Sequence, residues 1–296
     1  MDSHASAHER FASQPEILPP DAYPGHPSPP DQPRGWYPPP QTAPRPPRRR
    51  HWASAPATYT LIGVNVAVFL FTLFQSRSLT GPTFQDPPSF SLLCNGGYIL
   101  FAGQWWRVLT SLFVHFGWIH IAGNMWCLWN LGLLGEPLLG EFGIVAAYIL
   151  TGIAGNLLSI AFHPIPYGQP GGILSAGASG AVFGIAGVLL MLLRSPLLPI
   201  PAIELKKLRR SVWYFAIINL FIGLGANFAL TSVQIDNTAH LGGFLSGIAF
   251  GLPLVPRIGA LRSTFVRRRA ITIGAMAFVL LLIAWGLRAA YASPGS

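Results

Sequence analysis

Charge is what this chain of 296 residues has least of. Nineteen Lys and Arg and ten Asp and Glu make only 10% of it, against 51% hydrophobic side chains. A water-soluble core cannot absorb that balance without exposing large apolar patches, which excludes an ordinary soluble domain and leaves a membrane protein. Cysteine is nearly absent as well. Cys94 falls in a loop and Cys127 inside an apolar run, so no bridge is expected between them, and neither has the spacing of a metal site. No carboxylate lies deep in an apolar run where it could complete a catalytic triad, and no internal halves suggest a transporter. A secretory leader pattern is not visible: the first apolar run starts only near Thr58 and reads as an uncleaved anchor.

What is present is a series of uncharged stretches near the ~20 residues that cross a ~30 Å hydrocarbon layer as a helix. They cover roughly 57–75, 118–136, 142–162, 178–193, 211–231, 237–256 and 270–287. Unpaired backbone groups are not tolerated in lipid, and continuous hydrophobicity does not fit the alternation of a barrel, so the expected fold is an all-α polytopic membrane protein. The first fifty residues differ, holding 14 of the 28 prolines. Residues 1–55 read as a disordered, partly polyproline tail, because they cannot bury enough surface to offset the entropy of ordering.

The net charge of +9 invites a nucleic-acid reading, but its distribution favours a membrane surface. Arg45, Arg48, Arg49 and Arg50 precede the first span. Arg194, Lys206, Lys207, Arg209 and Arg210 fall between spans 4 and 5, and Arg257, Arg262, Arg267, Arg268 and Arg269 between spans 6 and 7. In a seven-span topology these share one side, opposite Arg77, Arg107 and Arg288. The positive-inside rule then places the N-terminus in the cytoplasm and the C-terminus outside, with the bilayer and not nucleic acid as the partner of the basic surface.

In so apolar a chain, polar side chains at membrane depth are informative. His120 and Asn124 in span 2, Ser179 in span 4 and His240 in span 6 all lie within about two turns of the outer ends of helices running the same way. His120 and Asn124 are four apart and share a helix face. Gly180 and Gly184 in span 4, and Gly243, Gly247 and Gly251 in span 6, carry the four-residue spacing of closely packed helices. Such packing brings Ser179 towards His240. An imidazole can take the proton of a serine nucleophile, while His120, Asn124 and the backbone N–H groups at Ser179 can face a developing oxyanion. Asp236, four residues before His240, reads as a helix N-cap, which leaves a dyad. No cofactor or metal is implied.

These residues resemble the rhomboid family of intramembrane serine proteases across about 57–256. Trp106-Arg107, His115 with His120 and Asn124, Glu136 with Gly140, Gly177-Ala178-Ser179-Gly180 and Ala239-His240 with Gly243 and Gly247 match its motifs in order. The resemblance implies a six-helix core (56–256), a Ser179–His240 dyad, an oxyanion site of His120, Asn124 and Ser179, and an amphipathic, membrane-embedded first loop between Phe90 and Phe116. It also implies a basic cytoplasmic loop (257–269), a C-terminal seventh helix (270–288) in a 6+1 arrangement, and a short external tail (289–296). The implied function is a serine endopeptidase of the bacterial plasma membrane that cuts single-span membrane proteins through an acyl-enzyme. Span 5, with Gly223 and Gly225, would act as a lateral gate, and polar residues around 163–177 and 231–238 would admit water. Phe183 stands where many bacterial members carry tyrosine, keeping an aromatic face for His240 without the hydroxyl. A rhomboid-like scaffold that binds without cutting is the alternative.

Overall fold

The computed structural model describes residues 55–76, 88–96, 100, 102–163, 174–228, 235–257 and 261–291. The proline-rich segment, the last five residues and the segments 164–173 and 229–234, including most of the expected water route, lie outside the described residues. The described residues form helices and no strand, with one isolated antiparallel bridge between Asn95 and Ser175.

Seven long helices occupy the seven apolar stretches: α1 (Pro56–Ser76), α2 (Trp118–Leu139), α3 (Glu141–Phe162), α4 (Ser179–Leu192), α5 (Ala202–Phe228), α6 (Asn237–Gly251) and α7 (Arg262–Tyr291). By length and composition, Pro56–Ser76, Glu141–Phe162, Asn237–Val255 and Arg262–Tyr291 are long and apolar enough to cross a membrane, and Ser179–Leu192 is apolar but shorter. Large apolar side chains face outward: Phe74 is 84% exposed, Ile119 91% and Phe142 80%. An outward apolar surface is what a lipid solvent requires.

Two helices start earlier than the apolar runs alone suggest. In α5, nothing between Ala202 and Ile222 is glycine or proline, and Leu205, Val212 and Ala216 are buried on one face with Leu208 partly buried beside them. The basic residues Lys206, Lys207, Arg209 and Arg210 therefore ride on extra turns of α5. There Lys207 pairs with Glu204 at 2.9 Å, and Arg210 Nε donates to the Tyr214 hydroxyl at 2.8 Å. The same holds for α7, whose first turns carry Arg262, Arg267, Arg268 and Arg269. Arg269 donates to the carbonyl of Leu139 at the end of α2, where the helix leaves acceptors unpaired and favours a cation.

The bundle is built around α4. Its residues 180–192 are all buried, as an all-apolar helix should be, and it packs against α6, α3, α2 and α5. The α4–α6 contact is backbone on backbone. A Cβ on Gly243 would run into the carbonyl oxygen of Gly180, one on Gly247 into that of Gly184, and one on Gly187 into that of Phe244. The glycine spacing of α6 thus marks the contact, met on α4 by the backbone at Gly180 and Gly184 and by Gly187, while the space beside Gly184 is filled by Thr151 of α3.

At the other end of the bundle, Glu136 of α2 caps α1. Its carboxylate accepts from the N–H groups of Ala57 (3.0 Å) and Thr58 (2.7 Å) and from the Thr58 hydroxyl (2.7 Å). These are first-turn donors with no partner inside their own helix, and Pro56 before them has no N–H to satisfy. Cys94, outside the helices, is enclosed by the first loop; burial pushes its thiol up to about 12 despite the opposing influence of Arg107, so it is an inert core group.

A methyl at the α4–α6 contact has nowhere to go. Gly247→Ala is expected to cost about 1–3 kcal/mol through overpacking and to lower the thermal unfolding temperature in detergent, whereas Gly274→Ala, with open space around it, leaves that temperature unchanged or slightly raised.

Candidate active site

Ser179 is the first residue of α4 and is half-buried. A helix of 14 residues rises only about 21 Å, so at least one of its ends stops inside a ~30 Å hydrocarbon layer. The segment leading into it is held by the first loop. Asn95 and Ser175 exchange two backbone hydrogen bonds, at 2.8 and 2.9 Å, and the N–H of Gly177 donates to the carbonyl of Ser111 at 2.9 Å. The N–H of Ala178 then donates to Nε2 of His115 at 3.4 Å. For that bond His115 must be neutral, and burial, followed by the neighbouring His120, holds its pKa down to about 3.

The turn Ser111–Phe113 that carries this support is itself fastened from α3. Asn156 Nδ2 donates to the carbonyl of Val108 at 2.8 Å and to the Ser111 hydroxyl at 2.9 Å. The Tyr148 hydroxyl donates to the carbonyl of Leu112 at 2.8 Å and meets Asn65 of α1. Arg107, largely buried, donates to the carbonyl of Ser91, tying two parts of the first loop together. Asn156, Tyr148 and Ser111 were not among the residues singled out from sequence. The signal that would have found the first two is the one that found Asn124: a polar side chain in an otherwise apolar span.

His120 and Asn124 lie on one face of α2, as their spacing requires, and they converge at Gly177. A Cβ on Gly177 would sit 2.9 Å from both Nε2 and Cε1 of His120 and 3.7 Å from Nδ2 of Asn124. Gly177 also has φ of 136°, a conformation suited to glycine. The N–H of Phe116 donates to Nδ1 of His120 at 3.3 Å. That bond assigns the ring proton to Nε2, the nitrogen facing Gly177. Asn124 Nδ2 is buried with no hydrogen-bond partner among the described residues. Two side-chain donors therefore point at one spot, two residues ahead of Ser179.

His240 is buried in the second turn of α6, with its ring stacked on Phe183 at 4.4 Å and 11°. Phe183 in turn meets Phe215 of α5 at 5.9 Å. The glycine contact brings the two chains together next to the candidate pair: a Cβ on Gly180, the neighbour of Ser179, would lie 3.4 Å from the carbonyl oxygen of Ala239, the neighbour of His240. The Ser179 hydroxyl and His240 are not hydrogen-bonded to each other among the described residues. Asp236 caps α6, accepting from the N–H of Ala239 at 2.9 Å and from the Ser159 hydroxyl at 2.5 Å. Among the described residues no group of three or more His, Cys, Asp and Glu side chains forms a metal-binding cluster.

A polytopic helical membrane protein with a serine, two histidines and an asparagine gathered around the head of its central helix is the class these observations define. Residues 102–257 match the Rhomboid domain family model, and the chain belongs to the rhomboid family. It is 29% identical over 221 residues to rhomboid protease GluP of Bacillus subtilis (strain 168), covering 73% of this chain and 39% of that protein. To RHOMBOID-like protein 2 of Arabidopsis thaliana it is 31% identical over 237 residues, 70% of this chain and 68% of that protein. RHOMBOID-like protein 7 of the same plant is 32% identical over 188 residues, 63% of this chain and 54% of that protein. The chain thus spans well under two thirds of the length of the Bacillus protein and of RHOMBOID-like protein 7.

The support of the Ser179 segment from α3 is testable on its own. Asn156→Leu, which deletes the bonds to Val108 and Ser111, is expected to speed amide hydrogen exchange at Gly177 and Ala178 several-fold, read by mass spectrometry; unchanged exchange would show that the first loop holds this segment without α3.

Proposed function

We propose that the chain is an intramembrane serine endopeptidase in which Ser179 is the nucleophile and His240 its base. The observation that carries this reading is the convergence of His120 Nε2 and Asn124 Nδ2 beside Gly177. Both are donors, one has no other partner, and they face the start of the helix that bears the only hydroxyl in its first turn. In the reaction, His240 takes the Ser179 proton as Oγ attacks the scissile carbonyl. The oxyanion is met by His120, Asn124 and the N–H of Ser179, and His240 returns the proton to the leaving amine. Water, activated by the same imidazole, then hydrolyses the acyl-enzyme.

A peptide bond inside a helix is already hydrogen-bonded, so the substrate class that fits is a membrane protein, single-span in the simplest case, whose helix unwinds locally near the outer face. Entry is lateral, past α5. The membrane is the bacterial plasma membrane, crossed seven times in a 6+1 arrangement. Residues 1–55 form a cytoplasmic tail, 56–256 the protease core, 257–269 a basic cytoplasmic segment, 270–288 the seventh span and 289–296 an external end. The basic residues of the first turns of α5 and α7 support this orientation.

Purified protein in vesicles with a labelled single-span substrate should cleave it, while Ser179→Ala and His240→Ala abolish cleavage. Cleavage by all three at one rate would remove the dyad. In the same assay Asn124→Ala is expected to lower kcat about 10²–10³-fold with a much smaller change in KM; an unaltered kcat would return Asn124 to helix packing. For the topology, reporter fusions after Ser296 should be active only as external reporters, and cytoplasmic activity at that position would invert the orientation.

A further inference from the structure

Three polar atoms at the candidate base and beside it have no hydrogen-bond partner among the described residues. Nδ1 of His240 and both Nδ2 and Oδ1 of Asn237 are buried, and none makes a hydrogen bond among the described residues. Asn237 is the first residue of α6 and His240 the fourth, so the two share a face of the helix. That face is turned towards α4 and α5. The His240 ring lies on Phe183, which reaches Phe215 of α5. The Asn237 amide lies against Gly223 of α5, where an added Cβ would run into Oδ1 and come within 3.3 Å of Cγ.

Buried amides without partners cost stability, and native structures hold few of them. The base has an unfilled need on the same side. When an imidazole takes a proton on one nitrogen, the N–H on the other becomes a stronger donor, and serine hydrolases supply an acceptor there that fixes tautomer and ring orientation. For His240, Nδ1 is the enclosed nitrogen. Asp236 makes no hydrogen bond to Nδ1 of His240 among the described residues; its oxygens accept from Ala239 N–H and the Ser159 hydroxyl. Asn237 Oδ1 is the unengaged side-chain acceptor on that face.

We propose that Asn237 is the positioning residue for His240, its Oδ1 accepting from Nδ1–H directly or through one water as the ring takes the Ser179 proton. The assignment rests on the reading of Ser179 and His240 as a dyad. A single water at this point would find the three or so polar partners that buried waters have. The contact with Gly223 ties the amide to α5, so the helix beside which substrate enters also sets the orientation of the base.

The test uses the full chain in vesicles and two measurements: turnover of a single-span substrate, and the rate at which a fluorophosphonate labels Ser179, which reads nucleophile reactivity without substrate binding. Asn237→Leu exchanges an unpartnered amide for an apolar side chain of similar size, so the unfolding temperature should hold or rise. Its kcat and labelling rate should nevertheless fall about tenfold or more, with KM within about twofold. Asn237→Asp, which keeps an acceptor, should recover most of both rates. Gly223→Ala displaces the amide without changing a polar atom and should also slow labelling. Wild-type rates in Asn237→Leu, or a wild-type labelling rate in Gly223→Ala, would overturn the proposal, as would equal losses in the Leu and Asp variants. Undiminished labelling of Ser179→Ala is a separate result, which would remove the dyad itself.

Discussion

Backbone contact between α4 and α6 is the constraint on which the remainder of the site depends. Gly243 and Gly247 of α6 lie against the backbone of Gly180 and Gly184 of α4 with no room for a Cβ on the α6 side. In lipid, apolar side chains gain little by leaving one apolar medium for another, so close van der Waals approach is what joins helices. The same approach sets Ser179 one residue before Gly180 and His240 three residues before Gly243, with Ala239 beside His240 lying against Gly180. Packing and chemistry therefore draw on one feature, and the glycines serve the site by being small.

Around that contact, polar groups do what side-chain hydrophobicity cannot do in a membrane, which is to specify geometry. Glu136 of α2 caps α1 at one end of the bundle. Asn156 and Tyr148 of α3 hold the turn at Ser111–Phe113, and that turn and His115 hold the two residues before Ser179. Each bond replaces water that the bilayer does not offer, so the chain of contacts runs from α3 through the first loop to the head of α4. The atoms left out of this economy are few. Among the described residues, Asn124 Nδ2, His240 Nδ1 and the Asn237 amide are buried without a hydrogen-bond partner around the site proposed for catalysis.

Much of this was legible in the chain itself. Apolar runs located all seven helices because hydrophobicity and length suffice to mark a helix in lipid. Their ends were less legible: α5 and α7 continue into basic turns, since Lys and Arg are good helix formers and a hydropathy boundary is not a helix boundary. His120, Asn124, Ser179 and His240 stand out in the chain because charge is so scarce elsewhere. Asn156 and Asn237 are less legible, the first because a lone asparagine in an apolar span carries no sign of its distant partner and the second because it sits beside a capping aspartate.

The sequence by itself determined an all-helical membrane chain, the glycines available for close packing and the few polar residues set in apolar spans, because each of these follows from local composition and helical periodicity. Only the tertiary structure decided which partners meet. Glu136 reaches the start of α1 across 79 positions, Asn156 reaches Ser111 across 45, and Nδ1 of His240 rather than Nε2 is the enclosed nitrogen. Those choices depend on how helices distant in sequence rotate against one another, and a local pattern carries no record of that rotation.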